Sequence, residues 1–517
     1  MERKRVSEII TTEEIKKWND GDIITITAGT GVGKSYFIKN ILYAFAKKEN
    51  KKILFLIHRK ACINQFYEEI KRDNKLDTID IKTYQSIEYS IINDKSIDFS
   101  EYKYIVCDEM QYFFGDSAFN KTTDISINTI LNQKDNIRIF MSATGNYTKN
   151  YIKNIKKIDT VDYEIPINYN FIKSLTFYNL DDTLDMFIEE SVKSEEKAIF
   201  FIQSAKKAYE LYSRHKDKCI FNCSKSNKEY YKFVDENKIN EILVNEKFDS
   251  NILITTTCMD AGVNIIDDKL KHIVCDVEDS NTIIQCIGRK RLQNENDKIH
   301  VYIKSINNCV LGGKKGMLKS KIEMADYLRN HTVEEYVNKF KRKCDYSQIV
   351  YDEAVDENDK CTKKINELMY FKCNIDICDI DLMLLYKKYG FNKFIANKLG
   401  FYDDNKGFTY RIIEEQKKEN ELEEYLDGLV GKRLHKDEQK ELINMIDLRD
   451  SRNRLQKKVS TLNGYLLDNY NMMLISKKVK EQGKLVTIWL LNNIEWYSGI
   501  QKLEKALYRG LSKKSIP

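Results

Sequence analysis

Ala28-Gly29-Thr30-Gly31-Val32-Gly33-Lys34-Ser35 stands between a β-branched run, Ile23–Ala28, and an apolar pattern with helical spacing. Alternate glycines let the backbone turn tightly and aim several N–H groups at one anion. The helix that follows adds the positive end of its dipole. Lys34 has the reach for the β- and γ-phosphates of a nucleoside triphosphate, and the Ser35 hydroxyl is a ligand for Mg²⁺. Ala28 takes the place of the usual first glycine of such a loop. A glycine-rich turn can match by chance, but a strand before it and a helix after it are the context a phosphate cradle needs.

A second acidic motif completes that chemistry. The apolar run Tyr104–Cys107 ends in Asp108-Glu109-Met110-Gln111. A carboxylate at the end of a buried parallel strand can hold Mg²⁺ across from the phosphates, and the next one can polarise the attacking water. Asp108 is therefore the candidate metal partner and Glu109 the candidate base. Alone, two acids after an apolar run are an ordinary solvated strand end; the preceding phosphate loop gives them weight.

The elements that must position these groups alternate along the first 300 or so residues. Apolar runs at 23–28, 52–58, 79–84, 104–109 and 137–144 are separated by helical patterns. A second series follows at 198–203, 219–224, 251–257, 272–277 and 299–304. Continuous apolar strands separated by helices predict parallel sheets covered on both faces, and two series predict two α/β domains in tandem. The join is expected near 163–171, around Pro166. The expected divisions are 1–165, 166–310 and a mainly helical region over 311–517.

Two stretches of that last region have alternative readings. The segment 386–411 interleaves aromatics with Lys and Arg, which suits base stacking but more often means a helical core with solvated lysines. Residues 472–491 predict a β-hairpin with Gly483 at its tip and Lys477, Lys478, Lys480 and Lys484 around it. With the helical pattern at 460–471 before it, this suits a winged-helix unit or a strand-separating pin, near 460–491, as well as it suits a surface hairpin.

Composition bounds the classes. The chain has 517 residues and net charge +6, a weak bias that permits nucleic-acid binding only through a local basic track. No run of about 18 apolar residues occurs, so no membrane span is expected. The N-terminus lacks an apolar signal core, which predicts an intracellular chain. The 12 cysteines read as reduced, mostly buried thiols. Cys344, Cys361, Cys373 and Cys378 lack the paired spacing of a zinc or iron–sulfur site, and the 6 histidines are scattered.

Taken in order, the motifs over roughly 20–305 resemble those of the superfamily-2 helicases and translocases, the group that includes the DEAD- and DEAH-box proteins. "HRKACINQ" (58–65) is similar to motif Ia, with Arg59 and Gln65 on its Arg and Gln; "TYQS" (83–86) is similar to motif Ib. "DEMQ" (108–111) stands where the family has its acidic box, as a variant ending in Gln111. "SAT" (142–144) resembles motif III, "TTTCMDAGVNI" (255–265) motif V and "QCIGRKR" (285–291) motif VI.

The resemblance implies two tandem RecA-like domains, followed here by the mainly helical region, and the use of ATP with Mg²⁺. It implies nucleotide contacts from Ala28 to Ser35 and from Gly262 and Asn264. It implies contacts to a nucleic-acid strand from Arg59, Gln65, Thr83, Tyr84, Gln85 and Thr256. Ser142, Ala143 and Thr144 would couple the two sites. Gln285, Arg289 and Arg291 would come from the second domain, with Gln111, to the reacting phosphate. Motif VI usually ends in an Arg where this chain has Leu292; Arg291 falls one residue early, so Arg289 is the firmer finger. No glutamine-bearing adenine-recognition motif precedes the phosphate loop; Trp18 or Ile15 is a candidate to pack on a base.

The expected function is an ATP-dependent helicase or translocase acting on DNA in replication, recombination or repair. The alternatives are a non-unwinding motor subunit of a defence or restriction complex, and an RNA helicase. The expected partner is nucleic acid, DNA before RNA, with replication or defence proteins and no membrane.

Overall fold

The structure, a computed structural model, describes residues 4–493 except 59, 116, 118–119, 121, 166, 260–262, 295, 342–348, 355–360, 404–406, 413–414, 451–453, 471 and 482. Side chains at 60–65, 354, 361, 403, 407–408, 415–421 and 484 are also outside it. The chain divides into two compact units. The first gathers Met1–Thr176, Leu180–Lys304 and Leu318–Cys378, and the second gathers Phe177–Asn179, Ser305–Met317 and Asp379–Pro517.

The first sheet of the first unit comprises β1 (Ile23–Ala28), β2 (Lys52–Ile57), β3 (Ile79–Thr83), β4 (Tyr102–Cys107), β5 (Ile137–Ser142) and β6 (Val161–Ile165). The strands lie in the order β3-β2-β4-β5-β1-β6, all parallel. Side chains alternate across each strand, so each strand feeds two cores. Ile24, Ile26, Phe55 and Val106 meet Phe37, Leu42 and Trp18 on one face. Leu54, Leu56, Ile105 and Phe140 meet Tyr84, Ile87 and Ile127 on the other. This double burial is why the strands read as unbroken apolar runs.

Six of the seven strands of the second sheet are β7 (Ile172–Tyr178), β8 (Lys197–Ile202), β9 (Cys219–Asn222), β10 (Ile252–Thr255), β11 (Leu270–Asp276) and β12 (Ile299–Lys304). These run β7-β12-β11-β8-β10-β9, with β8 to β12 parallel. The fold is the tandem RecA-like pair of parallel sheets that the resemblance implies. Two strands are absent from the sequence-based expectation: β6 and β7 flank Pro166, where only a join is expected. Within 318–378 an antiparallel pair, Val350–Ala354 with Cys361–Ile365, interrupts the helices.

Helices dominate the second unit, ending in a hairpin of Met472–Glu481 and Lys484–Asn493. The aromatics of 386–411 turn inward at Phe391 and Phe394, in favour of the core reading. Among the described residues no helix is long and apolar enough to cross a membrane. Among them, too, no three His, Cys, Asp or Glu side chains are placed to share a metal ion. Cys373 is buried and Cys378 exposed; Cys344 and the Cys361 side chain lie outside the described residues.

Candidate active site

Strand order creates the site. β1 and β4 flank β5, so the turns after these three strands share one rim, the carboxyl rim where open parallel sheets bind ligands. After β1 the chain enters the phosphate loop, with Gly31 at φ 76° and Gly33 at φ 92°, left-handed conformations that favour glycine. Lys34 is buried, and its Nζ donates to the carbonyls of Ala28 (2.8 Å) and Gly29 (3.1 Å). Burial lowers the pKa of this amine, against the opposing charges of Glu109 and Asp108. Val32 is buried and its carbonyl accepts from the Val6 N–H at 3.0 Å, while Ser35 is exposed and open to a ligand.

After β4 come the carboxylates. Burial and the neighbouring charge of Glu109 push the Asp108 carboxyl up. Burial would do the same to Glu109, but Lys34, Arg289 and a hydrogen bond from Gln111 outweigh it and hold that carboxyl down, as an anion. Glu109 sits at φ 53°, a left-handed conformation uncommon for a side chain of its size. Gln111 Nε2 donates to Glu109 Oε2 at 2.7 Å. The other end of the same amide accepts from the Ser142 hydroxyl. Ser142 Oγ accepts in turn from the Thr144 N–H at 2.9 Å, and Gln285 Nε2 donates to Thr144 Oγ1 at 3.4 Å. One chain of hydrogen bonds thus runs from the candidate base to the second sheet. Ala143, between its two coupling neighbours, is buried.

The second sheet supplies the remaining cations. Helix Ser280–Ile287 is capped by Asp279, which accepts from the Thr282 N–H, and presents Gln285 on its last turn. Gly288 follows, so close to the phosphate loop that a Cβ there would collide with the Thr30 side chain. Arg289 is buried; its Nε donates to the Gln285 carbonyl at 3.0 Å and its Nη1 to the Val263 carbonyl at 3.3 Å. Its charge acts on both Glu109 and Lys34. Arg291 donates from Nε to Asn264 Oδ1 at 2.7 Å, and Asn264 donates to Glu246 at 3.2 Å. Asn264 therefore orients Arg291. Lys290, between the two arginines, turns the other way into an ion pair with Asp297 at 2.7 Å and a bond to the Asp267 carbonyl.

The expected strand contacts fare unevenly. Tyr84 is a correction. Its side chain is fully enclosed, stacks on Tyr112 at 4.8 Å and donates its hydroxyl to the Asp108 carbonyl at 2.8 Å. It braces the acidic turn and has no surface for a strand. Thr83 accepts from the Ser86 N–H at 2.9 Å, capping the helix that carries Tyr84. Gln85 keeps a buried carbonyl oxygen that accepts no hydrogen bond among the described residues. Thr256 is buried at the end of β10, its N–H donating to the Asn222 carbonyl at 3.2 Å. Arg59, Gly262 and the side chain of Gln65 lie outside the described residues. Trp18 and Ile15 are core members; Trp18 donates to the Tyr163 hydroxyl at 3.1 Å, so neither is placed to receive a base. Sequence reasoning passes over His58, which stacks on Tyr112 at 5.5 Å and whose charge helps hold Glu109 down.

The parts fit a Mg²⁺–nucleoside triphosphate. A left-handed glycine loop, a buried amine, an exposed hydroxyl and a half-buried acidic pair form the donor set this ligand needs. Two guanidinium groups from a different sheet complete it.

Residues 3–146 match the ResIII family, described as the type III restriction enzyme res subunit. No curated protein matches the chain. Among solved structures, S. cerevisiae Dbp5 bound to RNA and ADP BeF3 is similar at 17% identity, covering 55% of this chain and 79% of that one, with a TM-score of 0.41. The Escherichia coli DEAH/RHA helicase HrpB is similar at 12% identity, covering 60% and 46%, with a TM-score of 0.43. The type ISP restriction-modification enzyme LlaBIII bound to DNA is similar at 12% identity, covering 56% and 26%, with a TM-score of 0.39.

Proposed function

We propose that this chain, which carries a superfamily-2 helicase and translocase core, is a nucleic-acid-dependent ATPase that moves along DNA. The observation that carries the reading is the hydrogen-bonded path from Glu109 through Gln111, Ser142 and Thr144 to Gln285. Such a path ties the state of a hydrolytic site on one sheet to the position of the other, which is what stepping requires. In this reading Lys34 binds the phosphates, and Asp108 and Ser35 hold Mg²⁺. Glu109 activates water, and Arg289 with Arg291 stabilises the charge that develops. The divisions 1–165, 166–310 and 311–517 then correspond to two motor domains and an accessory region.

The test is ATP turnover with and without single-stranded DNA, duplex DNA and RNA. DNA is expected to stimulate turnover more than RNA does, and Lys34→Ala to abolish it. If saturating DNA and RNA both leave turnover unchanged, the motor reading fails.

The match of residues 3–146 to a restriction-enzyme subunit family favours a second reading, a DNA translocase that steps without separating strands. It predicts stimulated turnover with displacement of a third strand from a triplex, and no unwinding of tailed duplexes.

A further inference from the structure

The end of the second unit has an element order that the motor does not use. Helix Glu415–Leu429, strand Arg433–Leu434, helix Lys436–Ile446 and helix Val459–Tyr470 precede the hairpin of Met472–Glu481 and Lys484–Asn493. The last strand is central and pairs antiparallel with both others. All three helices pack against this small sheet, with Leu426, Leu442 and Leu466 meeting Leu474, Trp489 and Leu491. Three helices on a three-stranded sheet, with the third helix running into a hairpin, is the winged-helix arrangement.

Polarity changes along the hairpin. Met472 and Leu474 are buried on the face that receives the helices. Continuing along that face, Ser476, Lys478 and Lys480 are exposed, and opposite Lys478 and Lys480 stand Thr487 and Leu485, also exposed. The hairpin outruns its core and turns basic where it does so, on the side of helix Val459–Tyr470. Two bonds fix helix and hairpin together: Asn463 Nδ2 donates to the Leu474 carbonyl at 2.9 Å, and Leu474 N–H donates to Asn463 Oδ1 at 2.7 Å. Lys457 and Lys458 are exposed just before the helix, which turns Ser460 and Gly464 outward, leaving room for a close surface. The helix's one acidic residue, Asp468, lies near its far end.

We propose that residues 415–493 form a duplex-DNA-binding module, with helix Val459–Tyr470 in the major groove and Lys478 and Lys480 on the flanking phosphates. A B-form major groove is wide enough for a helix, whereas the A-form groove of duplex RNA is too narrow. The inference stands apart from the motor reading, because it concerns binding without nucleotide.

The test uses the full chain, without ATP, against a duplex DNA of about 30 base pairs and a duplex RNA of the same sequence. The pair Lys478→Glu with Lys480→Glu is expected to weaken DNA binding at least about tenfold and to reduce the slope of log affinity against log salt by about two. Lys478→Arg with Lys480→Arg is expected to retain binding, as is Lys34→Ala, which separates this result from failure of the motor. An unchanged affinity and salt slope in the Glu pair, or tighter binding to duplex RNA than to DNA, would overturn the proposal.

Discussion

Gln285, on a helix of the second sheet, donates a hydrogen bond to Thr144, at the end of a strand of the first. The partner of this bond belongs to a chain of hydrogen bonds that begins at Glu109. The variant residue of the acidic box makes that chain possible. Gln111 offers a donor to Glu109 and an acceptor to Ser142; an ionised Asp could accept from Ser142 but could donate nothing to Glu109.

Replacing Gln111 with Glu should therefore break the path at its centre and set two carboxylates side by side. A hydrogen bond to a charged group contributes about 1.5–3 kcal/mol, so turnover should fall roughly tenfold to a hundredfold. Affinity for the nucleotide should hold, since the phosphate loop is untouched. Steady-state turnover beside fluorescent-nucleotide binding measures both; an unaltered turnover number would show that the path is idle.

Gly288 lies close against Thr30 of the phosphate loop. In Gly288→Ala the new Cβ would run into Thr30 Oγ1 and lie 2.9 Å from Thr30 Cγ2. Turnover is expected to drop about tenfold, and adding Thr30→Ala to recover most of the loss, because neighbours that clash are not additive. A double variant no better than the single one would place the damage elsewhere.

Asn264 acts through Arg291. With Asn264→Ala the guanidinium loses the 2.7 Å bond that aims it. We expect kcat to fall by about tenfold with KM little altered, as for an interaction used in the transition state. The double variant with Arg291→Ala should be no worse than Arg291→Ala alone; an additive loss would give Asn264 a separate role.

Asp162 ties the edge strand β6 to β1. It accepts from Thr25 Oγ1 at 2.7 Å, Thr160 Oγ1 at 2.6 Å and Lys153 Nζ at 2.5 Å. Burial would raise its pKa, but the bonds from Lys153, Thr160, Thr25 and Lys149 more than offset this and lower it. The unfolded chain then binds the proton more readily, so this stabilisation is present above about pH 4 and fades as acid takes the pH towards the depressed folded value. Asp162→Asn should cost roughly 1–3 kcal/mol at neutral pH and progressively less below about pH 4. Urea midpoints at both pH values would measure the gap; a gap independent of pH would refute it.

The parts of the site that sit at strand ends are legible in the sequence, because a buried parallel strand is an apolar run and its turn carries the chemistry. Ser142 and Thr144 can be found in this way, as can Asp108 and Glu109. The edge strand β6 escapes such a reading because Val161-Asp162-Tyr163-Glu164-Ile165 is half exposed and resembles a polar link. The antiparallel pair at 350–365 hides for the same reason. Tyr84 misleads because residue type does not say which way an aromatic at a helix start will point. Asn264 is expected beside the nucleotide and is found holding Arg291; that contact spans 27 positions, and no local pattern announces it.

The two ends of the Gln111 amide are unlike, and both are in use. Turning that group through half a circle would set oxygen against the Glu109 carboxylate, a repulsion in place of an attraction, whereas the Ser142 hydroxyl, which can both donate and accept, could still take a bond from the nitrogen. The carboxylate at one end therefore decides which way the amide faces, and the hydroxyl at the other follows it.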